Sequence, residues 1–471
     1  MKKIIFVLFV LALVMGMNAA KAQRVSPVDF MQMNPYQMKS NPAADLPYES
    51  VMSIAIGYTD LSLQHTGLRY DNFFDFDAHG VPATLNLRKL ANGLNESNFL
   101  GINLDTELFT LYRSIGNGML TFDWGVKVRG DLKFSDDLFK LLAYGNSAFV
   151  GEDNPANVDV NLNLNVYREF AVGYQHNINE KLSIGGRAKL LFGLANIATS
   201  NANIKLFTDP DSYALRIMEE VGVMASLPRV FKLENGVLNT NGGFMWGDLF
   251  RNVGFGIDLG AEYRFNEHFG VMAAVNDLGF IRWNLNNVKL ESKIEDAGQF
   301  YDDGSFLFNG LDMDQLQLVI SDEYYRERFL DTLKQYFPMG LNNAERYATR
   351  LNTNVLLRGY YDIDGRNRLT LQAQGMFYNS GFRPAMTLAY SGSFFKKIDV
   401  CASYTVMKNS YDNIGLGLAF NLGVFHIYAA SNNILGLFKP LNASALNAQV
   451  GIVFNLRKVE TRRGDGSEMA E

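Results

Sequence analysis

Five histidines, a single cysteine and scattered carboxylates are the residues of this 471-residue chain whose types could do chemistry. His65, His79, His176, His268 and His426 make no H-E-x-x-H pair and no metal-ligand spacing. Cys401 has no second thiol for a cluster or a disulfide. No G-x-S-x-G elbow occurs. A membrane phospholipase would need a serine, a histidine and an orienting group on the outer wall. His426 could act as base, but it shares a polar face with Tyr428 and reads as a lumen hydrogen bond. Gly254-Phe255-Gly256 with Gly260 misses the dinucleotide fingerprint by one position and lies inside a strand pattern. Asp362-Ile363-Asp364-Gly365 opens like a calcium loop but lacks the later bidentate acid, so a hairpin turn explains it better. Asp71, Asp75, Asp77 and His79 form only a loose acidic cluster. No catalytic residue, cofactor or metal site is therefore expected.

The elements that must position these residues alternate. Val158, Val160, Leu162, Leu164 and Val166 oppose Asp159, Asn161, Asn163 and Asn165, and period two is the β signal. Phe122, Trp124, Val126 and Val128 likewise oppose Asp123, Lys127 and Arg129; Phe255, Ile257, Leu259 and Tyr263 oppose Asp258, Glu262 and Arg264. Similar runs cover 369–377 and 446–456. They reach about ten residues or more, the length of a tilted membrane strand. A soluble sandwich would also alternate. Glycine is frequent on the polar face, though, and aromatics (Tyr174, Tyr263, Phe265, Phe269, Phe377, Tyr404) recur near the ends of the apolar faces, as interface girdles would. The reading is an all-β chain, a transmembrane antiparallel β-barrel of about 14 strands, with even counts of about 12 to 18 open. Two strands are expected before residue 70, two over 98–129, three or four over 158–223 and ten over 253–456.

Composition agrees. The chain is 48% hydrophobic with a net charge of −6, which disfavours disorder and general binding to nucleic acid. Met1-Lys2-Lys3, the apolar run Ile4–Val14 and Ala20-Lys21-Ala22 read as a secretory signal over 1–22, cut before Gln23. Residues 23–48 then form an N-terminal plug segment, 49–456 the barrel and 457–471 a polar tail. Short links (Ile115–Gly118, Asn177–Glu180, Asn266-Glu267, Asp362–Asn367, Phe394–Lys397, Asn421–Gly423) alternate with long ones (131–157, 208–252, 284–346, 406–413, 431–444). Outer-membrane barrels keep short turns on the periplasmic side and long loops outside. Helices are expected over Ser135–Tyr144 and within Asp312–Phe337, the latter in an extracellular insert at 284–346. Alternation turns Asp105, Glu107, Asp123, Lys127, Arg129, Arg187, Lys189, Asp258, Glu262, Arg264, Arg358 and Asp399 inward. With both signs present, these charges are read as knitting the wall and holding the plug rather than selecting one ion.

Three stretches resemble known barrels: Asn34-Pro35 with Asn41-Pro42-Ala43-Ala44; Gly256–Phe265 followed by Asn276–Trp283; and Ser431–Leu437. They resemble the barrels related to long-chain fatty-acid transporters, FadL-like and PorV-like, and especially a Bacteroidota outer-membrane family of unassigned function. The likeness is diffuse over 30–456. The insert at 284–346 and the tail after Phe454 depart from the pattern. The resemblance implies an N-terminal plug built on Asn34, Pro35, Asn41, Pro42 and Ala43. It also implies a transporter or channel for hydrophobic or amphipathic small molecules. The alternative is a non-transporting barrel acting as docking or assembly partner for surface or secretion proteins; an enzyme ranks last. Outer-membrane lipid is the expected surrounding. One break in the pattern stands out. Outward phase holds from Phe269 to Val275, then passes to Leu278, Phe280 and Arg282, which leaves the charge of Asp277 at the switch. A bulge or kink at Asn276, Asp277 and Gly279 would resolve this. In the fatty-acid transporters such a kink makes a lateral opening; the plainer alternative is a strand that leaves the membrane and bends.

Overall fold

A computed structural model describes residues 25–461, apart from 33, 46–47, 50–51, 78–81, 235–236, 241, 244, 293–304, 309–321, 329–338, 396, 408–409, 439–442 and 456–459. The signal sequence, Gln23, His79, most of the helix read over 312–337 and all of the polar tail but Glu460–Thr461 lie outside the described residues. Among the described residues of the 284–346 insert, 323–328 is helical, and no described helix is long and apolar enough to cross a membrane.

Fourteen antiparallel strands close into one barrel: β1 Met52–His65, β2 Ser97–Ile115, β3 Gly118–Ser135, β4 Val160–Asn177, β5 Leu182–Thr208, β6 Val253–Arg264 and β7 Phe269–Trp283. Then follow β8 Thr353–Asp362, β9 Asn367–Tyr378, β10 Gly381–Phe394, β11 Ile398–Met407, β12 Ser410–Leu422, β13 Phe425–Ser431 and β14 Ala445–Asn455. Each strand pairs with its sequence neighbours, and β14 closes on β1 through Ser53↔Asn455 to Gln64↔Ala445. Closure leaves no edge, which is what lets a sheet stand in lipid.

The expected total holds, but its distribution differs. One barrel strand, not two, precedes residue 70, because residues 25–45 turn inside instead of joining the wall. Two barrel strands, not three or four, occupy 158–223: β5 runs on for 27 residues and pairs outside the wall with Leu215–Ser226. Nine rather than ten follow Val253. The link read as long at 406–413 is a tight one, with Met407 paired to Ser410. The helix read from Ser135 starts at Asp137, because Ser135 still belongs to β3.

All six short links lie at one end of the barrel. The other end carries the longer connections and an extra sheet in which Leu215–Ser226 pairs with Asn287–Ser292, itself paired to Met339–Asn343. Leu259, Phe255, Val172, Leu388 and Val450 are about half exposed on the outer face, while Asp258, Asp123 and Gln449 are buried within. A continuous apolar belt of this kind calls for a surrounding of lipid, not water. Tyr263, Phe265, Phe394 and Phe425 border it at the short-turn end, and Phe377, Phe382, Tyr404 and Tyr411 at the other.

Candidate functional site

The site is the interior, and it begins with the N-terminal segment. Ser26 caps the turn Pro27–Phe30 by accepting the Val28 N–H, and a second turn follows at Gln37–Ser40. Asn34 accepts from Tyr36 N and Asn41 from Ala43 N, each at 3.0 Å, so both asparagines fold the backbone back on itself. Asn34, Asn41 and Ala43 are fully buried, and Pro35 and Pro42 are buried too. Val28, Phe30, Met31, Tyr36 and Met38 pack against Tyr58, Tyr112, Cys401, Met407 and Tyr428 of the wall. Tyr36 stacks on Tyr58 with ring centroids 4.2 Å apart. A side chain at Gly260 would collide with Asn41 Oδ1, and one at Gly185 with Pro42 O. These two wall glycines let the plug backbone touch the barrel.

Beside the plug, β2 to β7 carry a lattice of buried charge. Lys39 of the plug bridges Glu107 at 3.0 Å and also pairs with Asp123. Lys127 lies 3.1 Å from Glu107, 3.5 Å from Asp105 and 3.7 Å from Glu169. Arg129 pairs with Asp105, and Arg187 meets Asp258 at 3.1 Å and Asp123 at 2.5 Å. Lys189 reaches Asp258 at 2.7 Å and Asp277 at 2.5 Å. Near the short-turn end Arg264 holds Asp45 at 2.7 Å and Glu262 at 3.2 Å. Arg358 stands apart from the lattice: it donates to Asp29 O of the plug and to Gln372, and lies over the Phe30 ring. Among the described residues the other half of the lumen holds no such lattice: Arg368 pairs with Asp362 at 2.5 Å, Gln449 and Asn447 donate to Asp60, and Gln372 donates to Gln374.

The opposite mouth is covered by a hairpin tip. β9 and β10 are joined by a tight link, Tyr378–Gly381, that folds inward. Tyr378 accepts from Asn103 at 3.3 Å and meets the Phe99 ring edge-on at 5.5 Å, and Arg383 lies 4.0 Å over that ring. Phe99 and Asn103 belong to β2, which stands diametrically opposite β9 in the ring. The hairpin therefore crosses the lumen.

At the phase switch, Asn276 and Asp277 together oppose Asp258 alone, between Val275↔Leu259 and Leu278↔Ile257. Asp277 takes φ of +58°, the left-handed conformation of a bulge, and its carboxylate turns to Lys189. Asn276 donates to Ser40 O of the plug. The neighbouring strand is interrupted here, since β8 starts at Thr353 and Tyr347–Arg350 pairs separately with β7. Leu351 N still donates to Gly279 O at 3.0 Å, so the wall is closed at this point. Behind it Tyr167, Leu191, Ile281, Trp283 and Leu351 make an apolar cluster facing inward.

The remaining sequence candidates do no chemistry that these contacts show. Asp75 pairs with Asn86 and Lys89, and no metal-holding group occurs among the described residues. His426 is buried, and its Nε2 meets no hydrogen-bond partner among the described residues. Asp364 accepts from Asn367 Nδ2 and from the backbone N–H groups of Asn367 and Arg366, contacts that hold its carboxyl below the usual range. This is a turn, as read. Sequence reasoning missed Lys39, Glu169 and the Tyr378 hairpin. Glu169 sat on an alternating face and could have been found; Lys39 carries no local signal, and Tyr378–Gly381 reads only as a tight hairpin, with nothing local to say that it turns inward.

No curated protein matches this chain. Among solved structures it is similar to the toluene transporter TodX of Pseudomonas putida, 7% identical, covering 92% of this chain and 97% of that one at a TM-score of 0.40. A FadL homologue of Pseudomonas aeruginosa is 11% identical over 90% and 95%, at 0.39. The toluene transporter TbuX of Ralstonia pickettii is 8% identical over 91% and 94%, at 0.40. A match over residues 42–432, from Pro42 of the plug to Asn432 beyond β13, shows that the chain belongs to DUF5723, a family of unknown function.

Proposed function

We propose that this protein is an outer-membrane barrel that transports apolar or amphipathic small molecules, and that the structure is its closed conformation. Residues 1–22 act as the export signal in this reading, and the end bearing the short turns faces the periplasm. The observation that carries it is the apolar cluster of Tyr167, Leu191, Ile281, Trp283 and Leu351, which faces inward at the wall bulge. Once its packed side chains part, it would give an apolar molecule a contact surface separate from the cluster that seats the N-terminal segment. It also lies where the wall is least regular, between plug and hairpin. Uptake of a labelled long-chain alkanoate into vesicles holding the full chain tests the reading. Faster uptake than by empty vesicles, lost on Leu191→Gln, is the expected result; uptake equal to that of empty vesicles rejects it.

A second reading, a docking or assembly barrel, is favoured by one specific observation. Plug, charge lattice and hairpin all project into the interior of the barrel. Affinity isolation returning a stoichiometric surface or secretion partner, with no uptake, would select that reading.

A further inference from the structure

The long-loop end holds a cavity of about 740 Å³ that rests on the mouth hairpin. Asn379 and Ser380 of the hairpin, the outer end of β3 and the segment leading into β4 all line it. Its volume falls in the range of small-molecule sites. Part of its polar lining is already engaged. Lys140 holds Asp136 at 2.9 Å and Asp137 at 3.4 Å, and Asp137 accepts the Asn157 N–H at 2.8 Å. The side chains of Glu96, Lys133, Asp159, Asn161 and Asn379 are different: they have no partner among the described residues. One ammonium, two amides and two carboxylates thus line one space with no protein partner among the described residues.

We infer that this vestibule binds a neutral, polyhydroxylated ligand, a saccharide. A hydroxyl donates and accepts at once, so neighbouring hydroxyls can donate to Glu96 and Asp159 while accepting from Lys133, Asn161 and Asn379. A hydrocarbon would strip water from all five side chains and return no hydrogen bond. An anion would face Glu96, Asp136, Asp137 and Asp159 against only Lys133 and Lys140. A simple cation would leave Lys133 opposed and both amides unused. The site is separate from the apolar cluster at the bulge and does not depend on transport.

The test is binding by the full chain in detergent, so its failure is distinct from a failure of uptake. A glycan array bearing neutral and anionic oligosaccharides is read first, then saturation-transfer NMR with maltotriose, chitotriose and sialyllactose. Neutral glycans should bind and sialyllactose should not. Lys133→Ala and Asn161→Ala should each weaken binding about tenfold, the loss of one strong hydrogen bond. Gly359→Val, on the lipid-facing wall, should leave binding unchanged. Every variant is first checked for the heat-dependent gel shift of a folded barrel. Absence of any neutral glycan from the array, preference for the anionic sugar, or binding that survives the Lys133→Ala/Asn161→Ala pair overturns the inference.

Discussion

Lys39 stands between Glu107 and Asp123, and all three are largely withdrawn from water. Taking charges out of water costs several kcal/mol per ion, and removing one partner leaves the others uncompensated. Lys127 and Arg187 still serve these carboxylates, so Lys39→Met should cost the plug about 3 kcal/mol, the low end for a broken buried pair. Cys401 reports this directly. It is fully buried in the cluster that holds the plug, and it is the only thiol in the chain. Its alkylation by a water-soluble maleimide should speed up about a hundredfold in Lys39→Met. Gly260→Val, which drives a side chain into Asn41, should do the same through overpacking, at about 1–3 kcal/mol, whereas Gly359→Val meets nothing within 4 Å and should not. Equal labelling in all four proteins would mean that neither contact seats the plug.

Elements follow a simpler rule, the alternation of faces. Val126 and Ile257 face outward and Lys127 and Asp258 inward. Val126→Arg or Ile257→Arg near the midplane should destabilise the barrel in liposomes by about 2–4 kcal/mol, against about 0–1 for Ile363→Arg in a short turn. Equal costs at all three positions would remove the lipid belt. The turn at Asp362–Asn367 has its own titration. Hydrogen bonds from Asn367 and Arg366 depress the Asp364 pKa, so its contribution is complete above the ordinary carboxylate range. As pH falls through the depressed value the contribution is lost. The protection of the Arg366 and Asn367 amides, relative to their intrinsic exchange rates, should fall over that acidic window, and Asp364→Asn should remove this change in protection.

Among the described residues, 25–45 pack inside the barrel and the Tyr378 hairpin reaches across its long-loop end to Phe99. Closed pairing through all strands should make it migrate faster unheated than boiled on detergent gels, and it should fractionate with outer membrane. Recovery from soluble periplasm, with no heat-dependent shift, would reject the membrane placement. Deleting 25–45 alone should not produce an open pore in planar bilayers while the hairpin still spans the lumen; large ohmic currents after that deletion would show that the hairpin is no barrier.

Alternation is local, so the sequence by itself determined that this is an all-β chain, that about 14 strands form it, and which residues share a face. Asp277 could be singled out as anomalous for the same reason, since a phase change is visible in a single strand. Other features lie beyond local reading because they depend on what meets across space. Lys39 lies in no periodic element, and its partners are fixed only once residues 25–45 dock inside the barrel. Tyr378–Gly381 has the local signature of any tight hairpin; that it bends inward to Phe99 is set by a contact between strands on opposite sides of the ring. Similarly, Leu215–Ser226 looked like wall, and only the long run of β5 past the rim moved it into an outer sheet. Period two fixes faces, but long-range packing decides whether a segment becomes wall, plug or cover.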